Sequence, residues 1–124
     1  MKNIILIGLG GFIGTILRYG IGKIFEKNIY FFPFGTFLVN MIGCFLLGLL
    51  ITSLAKENNL LLNKLYLFFG IGICGGLTTF STFSMESLNL INEGKLFLML
   101  LYIISSIGFG LLFCYFGMIF IKSL

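Results

Sequence analysis

Hydrophobic residues run through this chain in four long stretches, Ile4–Ile24, Phe34–Leu54, Leu65–Ile91 and Leu96–Ile121, separated by short polar clusters. A helix needs about 20 apolar residues to cross the hydrocarbon core of a bilayer, and each stretch reaches that length. Lys23, Glu26 and Lys27 close the first, and Pro33 opens the second, as suits proline in a first helical turn. Lys56, Glu57 and the Asn-rich run to Lys64 divide the second from the third, and Asn92-Glu93-Gly94 makes the last turn. The final two stretches exceed the minimum, which permits tilt or a break. The pattern predicts an all-α membrane protein: one domain over residues 1–124 with four transmembrane helices.

The third stretch departs from the pattern. Gly72-Ile73-Cys74-Gly75-Gly76-Leu77-Thr78-Thr79-Phe80-Ser81-Thr82-Phe83-Ser84 puts glycines and hydroxyl residues where lipid would demand plain apolar helix. Backbone that leaves helical geometry inside a bilayer is tolerated only where protein or a water-lined path supplies hydrogen bonds. Discontinuous helices of this kind mark ion and substrate sites. The expectation is a third helix broken mid-membrane near residues 75–79, serving something small and polar.

Composition narrows the function. The chain has 124 residues, 59% hydrophobic and 10% charged, with mean hydropathy +1.14. It contains no His and no Asp, which removes imidazole as base or metal ligand and speaks against an enzyme. Cys44, Cys74 and Cys114 each lie in an apolar run and read as small buried hydrophobes. The N-terminal segment lacks an A-x-A cleavage site and reads as a retained helix. A net charge of +4, spread one or two cations per loop, makes no nucleic-acid patch and fits solvated helix flanks.

With four spans, one side carries Lys2, Lys56, Lys64 and Lys122, and the other Lys23, Lys27 and Lys95, with Arg18 near its helix end. Orientation follows the Lys/Arg bias between sides, and here there is almost none. Either the balance is chance in a small protein, or the chain inserts both ways and opposite copies pair as an antiparallel dimer. Four short helices make a thin bundle, so oligomerisation is expected in either case. Gly10-x-x-x-Gly14 and Gly72-x-x-x-Gly76 offer small-residue faces for close helix contact.

Several polar residues sit where lipid would reject them. Arg18, about a turn from its helix end, either snorkels to the interface or raises the local anion concentration at a vestibule. Asn40 shares a face with Thr36, Gly43 and Cys44. Its amide either glues helices together or donates to an anion. Phe80 and Phe83, three apart, share a helical face. Their electropositive ring edges, beside Thr78, Thr79, Ser81, Thr82 and Ser84, suit an anion held without excessive affinity. Tyr102 with Ser105 and Ser106 forms a stripe on the fourth helix. Glu86, the one acid inside a span, reads as mouth-lining or interfacial.

Together these residues resemble the fluoride channel family called CrcB or Fluc. The matching stretches are Gly10-Gly11-Phe-Ile-Gly14-Thr-Ile-Leu-Arg18-Tyr19, then Pro33-Phe-Gly35-Thr36-Phe-Leu-Val39-Asn40-Met-Ile-Gly43, then Cys74-Gly75-Gly76-Leu-Thr78-Thr79-Phe80-Ser81-Thr82-Phe83. The third is highly specific, and length and four-span plan agree end to end. The fourth helix matches through Tyr102 and Ser106, while Gly110 stands where some members carry a further hydroxyl. The resemblance implies a dual-topology antiparallel homodimer in the cell membrane, with two separate pores for fluoride ion. It implies that Phe80 and Phe83 face the ion, that Asn40 donates to it, and that Tyr102 and Ser106 line the same path. Thr36, Ser81 and Thr82 would supply further hydroxyls, and Arg18 would draw anions at the vestibule. It also implies a structural Na+ at the dimer centre, held by backbone carbonyls of Gly75 and Thr78, where the bend in Gly75 uses a conformation or close approach that a Cβ would hinder.

Two rivals fit less well. A small multidrug exporter shares the length and span number but resembles its kin in an acid midway along the first helix, and here that span has none. A packing subunit would account for glycine-rich helices but not for Asn40 together with the hydroxyl–Phe cluster.

Overall fold

A computed structural model describes residues 1–26, 31–55 and 60–122, with backbone only at 60–62. Lys27 and Lys56, counted above in the charge balance, and Glu57 of the cluster between the second and third stretches lie outside the described residues. Among the described residues six α-helices run in order: α1 (Lys2–Phe25), α2 (Phe34–Leu54), α3 (Leu60–Leu65), α4 (Gly75–Leu77), α5 (Phe80–Asn92) and α6 (Leu96–Lys122). Nine π-helical residues, Tyr66–Cys74, join α3 to α4. Among the described residues, four runs are long and apolar enough to cross a membrane: Lys2–Phe25, Phe34–Leu54, Asn63–Asn92 and Leu96–Lys122. These coincide with the four hydrophobic stretches to within a few residues.

The differences are local. Pro33 is the cap before α2 rather than its first residue. Because α1 continues to Phe25, Arg18 lies about two turns from the helix end, not one. The turn into α6 closes on Gly94, whose φ of 73° is a left-handed conformation that glycine adopts without steric penalty. The interruption of the third run falls on threonines. Gly75 and Gly76 are helical, with Gly75 at φ −63°, ψ −36°, whereas Thr78 (ψ 153°) and Thr79 (φ −150°, ψ 118°) are extended. Gly75 is therefore an ordinary helical residue, and a Cβ built on it meets nothing within 4 Å in this chain. That corrects the expectation of a special backbone there.

Between helices in lipid there is no hydrophobic drive to associate, so close backbone packing and polar contacts must hold the bundle. α1 packs on the π-helical segment and α4, and α2 packs on α6. The two Gly-x-x-x-Gly spacings meet each other. A Cβ on Gly10 would collide with the Phe68 carbonyl and lie 3.0 Å from the Cα of Gly72. One on Gly14 would collide with the Ile73 carbonyl and lie 2.9 Å from the Leu77 nitrogen. Outward-facing Ile4, Phe97 and Leu111 are largely exposed, as residues bordering hydrocarbon would be.

Candidate functional site

The site grows from the two extended residues. Leaving the helix at Thr78–Thr79 strips backbone groups of their i→i+4 partners, and buried groups must then be satisfied otherwise. Asn40, on α2, supplies the remedy. Its Oδ1 accepts from the Thr79 N–H at 2.8 Å and its Nδ2 donates to the Thr79 carbonyl at 3.3 Å. The side-chain amide thus pairs with Thr79 as a neighbouring peptide would. Thr79 then restarts the helix as the N-cap of α5, its Oγ1 accepting from the Thr82 N–H at 3.2 Å and donating to Thr82 Oγ1 at 3.0 Å.

The same bonds take helical donors away from two carbonyls. In an unbroken helix the Gly75 carbonyl would accept from Thr79 N–H, and the Thr78 carbonyl from Thr82 N–H. Both donors are committed, to Asn40 Oδ1 and to Thr79 Oγ1. The carbonyl of Cys74, by contrast, accepts from both the N–H and the hydroxyl of Thr78.

Two cavities share Thr79 as a wall. One, of about 430 Å³, brings Asn40, Phe80, Phe83 and Ser106 together with Gly75 and Thr78. Phe80 is 79% exposed, and its ring centroid lies 5.7 Å from that of Phe83 at a 39° tilt. Phe83 leans on Tyr102 at 5.1 Å. Ser106 Oγ is buried without a hydrogen-bond partner among the described residues, and it lines this cavity. The amide nitrogen of Asn40 carries two hydrogens and spends one on Thr79, which leaves a second N–H for whatever occupies the space.

The other cavity, about 400 Å³, is charged: Arg18, Lys23, Glu26 and Glu86 line it with Thr36 and Thr82. Glu86 lines this cavity and also reaches across the bundle. Its carboxylate accepts from Thr36 Oγ1 of α2 at 2.8 Å and from the Tyr102 hydroxyl of α6 at 2.7 Å, and so ties three helices together. Tyr102 is fully buried, its ring packed edge-on to Phe32 at 5.3 Å.

The structure accordingly divides the residues singled out from the sequence. Asn40, Phe80, Phe83 and Ser106 converge, with Gly75 and Thr78 beside them. Thr36, Thr82 and Arg18 belong to the second cavity, and Tyr102 contributes its ring to Phe83 and its hydroxyl to Glu86. Ser81 is exposed, lines neither cavity, and approaches Thr79 Oγ1 at 3.3 Å. Ser105 bonds back to the Tyr102 carbonyl, which separates it from Ser106. Gly110 is buried against Cys44 and Met41, with no hydroxyl to extend the path. Sequence reasoning missed the pairing of Asn40 with Thr79 and the three-helix role of Glu86. Local sequence offered a signal only for Thr79 as an N-cap, a residue type suited to starting a helix, and none for its partner Asn40.

Four membrane-length helical runs among the described residues, the third interrupted at Thr78–Thr79, define a multi-pass membrane protein. Residues 5–118 match the family model described as CrcB-like protein, Camphor Resistance (CrcB), and the chain belongs to that family. It is 45% identical over 117 residues to the fluoride-specific ion channel FluC of Oceanobacillus iheyensis, covering 94% of this chain and 89% of the relative. It is 40% identical over 115 residues to the protein of the same name in Chlorobium phaeobacteroides, covering 93% and 89%. With that of Phocaeicola vulgatus it shares 43% over 113 residues, covering 90% and 92%. Family and helices together make it a multi-pass protein of the cell membrane.

Proposed function

We propose that this protein is a fluoride-selective channel that lets fluoride leave the cell passively and so confers fluoride resistance. One observation carries the reading: a single cavity unites the spare N–H of Asn40, the unpartnered hydroxyl of Ser106 and the rings of Phe80 and Phe83. The relatives' names support it. Fluoride is small and strongly hydrated, so a pore must replace its water with several donors at short range. Amide and hydroxyl hydrogens and electropositive ring edges do so without a fixed positive charge that would hold the ion. Larger, more weakly hydrated halides would gain less from such donors. Thr36 and Thr82 continue the path through the second cavity, where Arg18 concentrates anions, with Tyr102 behind Glu86 and Ser81 beside Thr79 as further hydroxyls. An inside-negative potential favours exit by about 2.3 kcal/mol per 100 mV. The reading contains no catalytic step.

The exposed Phe80 and the open surface of Gly75 support an assembly in which a second copy, inserted in the opposite orientation, completes each pore and sets the break at mid-membrane. A structural Na+ fits the same place. The carbonyls of Gly75 and Thr78 are among those at the break whose helical donors are committed elsewhere, and carbonyl oxygens suit a hard cation. Bound there by both copies, the ion would supply charge neutralisation at the interface.

The test is anion efflux from liposomes holding purified protein, loaded with fluoride or with chloride. Rapid fluoride efflux with chloride retained is the expected result. Equal release of both, or of neither, overturns the reading.

A further inference from the structure

We propose that Gly43 is a positioning residue for the cavity that holds Asn40 and the aromatic pair: the notch it leaves on α2 seats the methyl group of Thr78 and so fixes the extended backbone at the break. The fit stands on the geometry of this chain alone; its effect on flow rests on the channel reading above. Gly43 is buried and lies three residues beyond Asn40 on α2, so the two share a face. Both line the cavity of about 430 Å³, together with Thr78 and Thr79. A Cβ built on Gly43 would collide with Thr78 Cγ2, while the next atoms, Thr78 Cβ and the Cys74 carbonyl oxygen, lie 3.7 and 4.0 Å away. The missing Cβ therefore makes room for one methyl group.

Thr78 has few ways to yield. Its hydroxyl donates to the Cys74 carbonyl at 2.9 Å, and hydroxyl and methyl share one Cβ, so turning either about χ1 displaces both. Its neighbour Thr79 is held through its peptide by Asn40. The helices behind these residues are closely packed as well. α2 is pressed on α6, where a Cβ on Gly48 would collide with the Cys114 carbonyl and one on Gly117 with that of Phe45. The third run is pressed on α1 through Gly10 and Gly14. α2 and the break can part only by moving one packed pair off the other, which draws Asn40 away from Thr79. A side chain at position 43 must therefore rotate Thr78 or stretch the bonds between Asn40 and Thr79, and either change disturbs the wall between the cavities. Gly43 offers no side chain to an ion and acts through Thr78.

The test places Gly43→Ala in the full-length protein in two backgrounds, wild type and Thr78→Ser, which removes the methyl and keeps the hydroxyl. Fluoride efflux is measured per folded protein, and amide hydrogen exchange at Thr79 reports its bond to Asn40. In the wild-type background Gly43→Ala should lower efflux by roughly tenfold or more and speed exchange at Thr79 to a similar degree. In the Thr78→Ser background both effects should shrink to about twofold or less, the signature of direct coupling. Gly48→Ala, which crowds α6 instead, should cost the same in both backgrounds. Equal losses from Gly43→Ala in the two backgrounds overturn the proposal, as does relief of Gly48→Ala by Thr78→Ser. Lower thermal stability with efflux and exchange unchanged makes Gly43 a packing residue and overturns it too. If Gly43→Ala alone fails to fold, the doubly substituted protein decides: folded and flowing it upholds the seat, unfolded it overturns it. Absence of efflux from wild-type vesicles counts against the channel reading and leaves exchange at Thr79 to judge the seat.

Discussion

The two cavities on either side of Thr79 are close in volume, about 400 and 430 Å³, and opposite in character. One is bounded by Arg18, Lys23, Glu26 and Glu86; the other has no ionisable acid or base among its lining residues beyond two thiols. On the proposed reading the difference divides the labour. A charged antechamber raises the local anion concentration from a distance, where Coulomb attraction is long-ranged. A neutral chamber strips water with weak donors, from which the ion departs as readily as it enters. Reversing the order would trap the ion, since a cation inside a low-dielectric passage binds an anion far more strongly than it does near water.

The largest effect should come from removing the wall between the cavities. Asn40→Ala leaves the buried N–H and carbonyl of Thr79 unpaired, for a loss of about 1–3 kcal/mol in stability, and fluoride efflux should fall to background. Thermal unfolding and liposome efflux measure the two. Near-normal efflux would mean that the amide neither holds the wall nor donates to the ion.

Gly75→Val comes next, and it sharpens the neutral side. Because a Cβ there has open space within one chain, the folded monomer should persist while dimer retention, bound Na+ and efflux are lost. Thr78→Ser, which keeps its carbonyl and hydroxyl, should retain all three. Cross-linking and metal analysis, with Na+ replaced by a bulky organic cation, make the comparison. A wild-type dimer from Gly75→Val would remove the central ion from the account.

Phe83→Ile should lower efflux by about tenfold, the equivalent of about 1.4 kcal/mol of lost ring-edge interaction, without changing the dimer. Normal flow from both Phe80→Ile and Phe83→Ile would return the rings to packing. Arg18→Gln is the mildest. Efflux should drop a few-fold at low ionic strength and converge on wild type in high salt, because screening cancels attraction beyond about 10 Å in 0.1 M salt. A salt-independent defect would make Arg18 a structural residue.

The helices were legible in the sequence because a membrane span is a question of length and hydropathy, and neither needs tertiary context. The existence of a broken segment was legible too, from Gly72 to Ser84. Its location, at Thr78–Thr79, falls within the expected 75–79, although Gly75 and Gly76 themselves stay helical. What the sequence did not show is how the break is satisfied: a residue 39 positions away supplies the replacement bonds. No local pattern announces a partner at that separation. Glu86 illustrates the same point: its distance from the span end was visible, while its bonds to Thr36 and Tyr102 depend on how α2, α5 and α6 meet. The grouping of Asn40 with the aromatic pair was legible through family resemblance, whereas the removal of Thr36 and Thr82 to the other cavity required the structure.

The break also sets two helix dipoles end to end. A helical run finishing at Leu77 turns a partial negative charge of about half a unit toward the gap, and α5, starting at Phe80, turns a partial positive charge of similar size toward it from the other side. A short stretch of neutral backbone therefore offers a positive pole to an anion and a negative pole to a cation. These poles are built from peptide groups, so no proton can be lost or gained to erase them. Selectivity founded on them should hold across the pH range over which the fold itself survives.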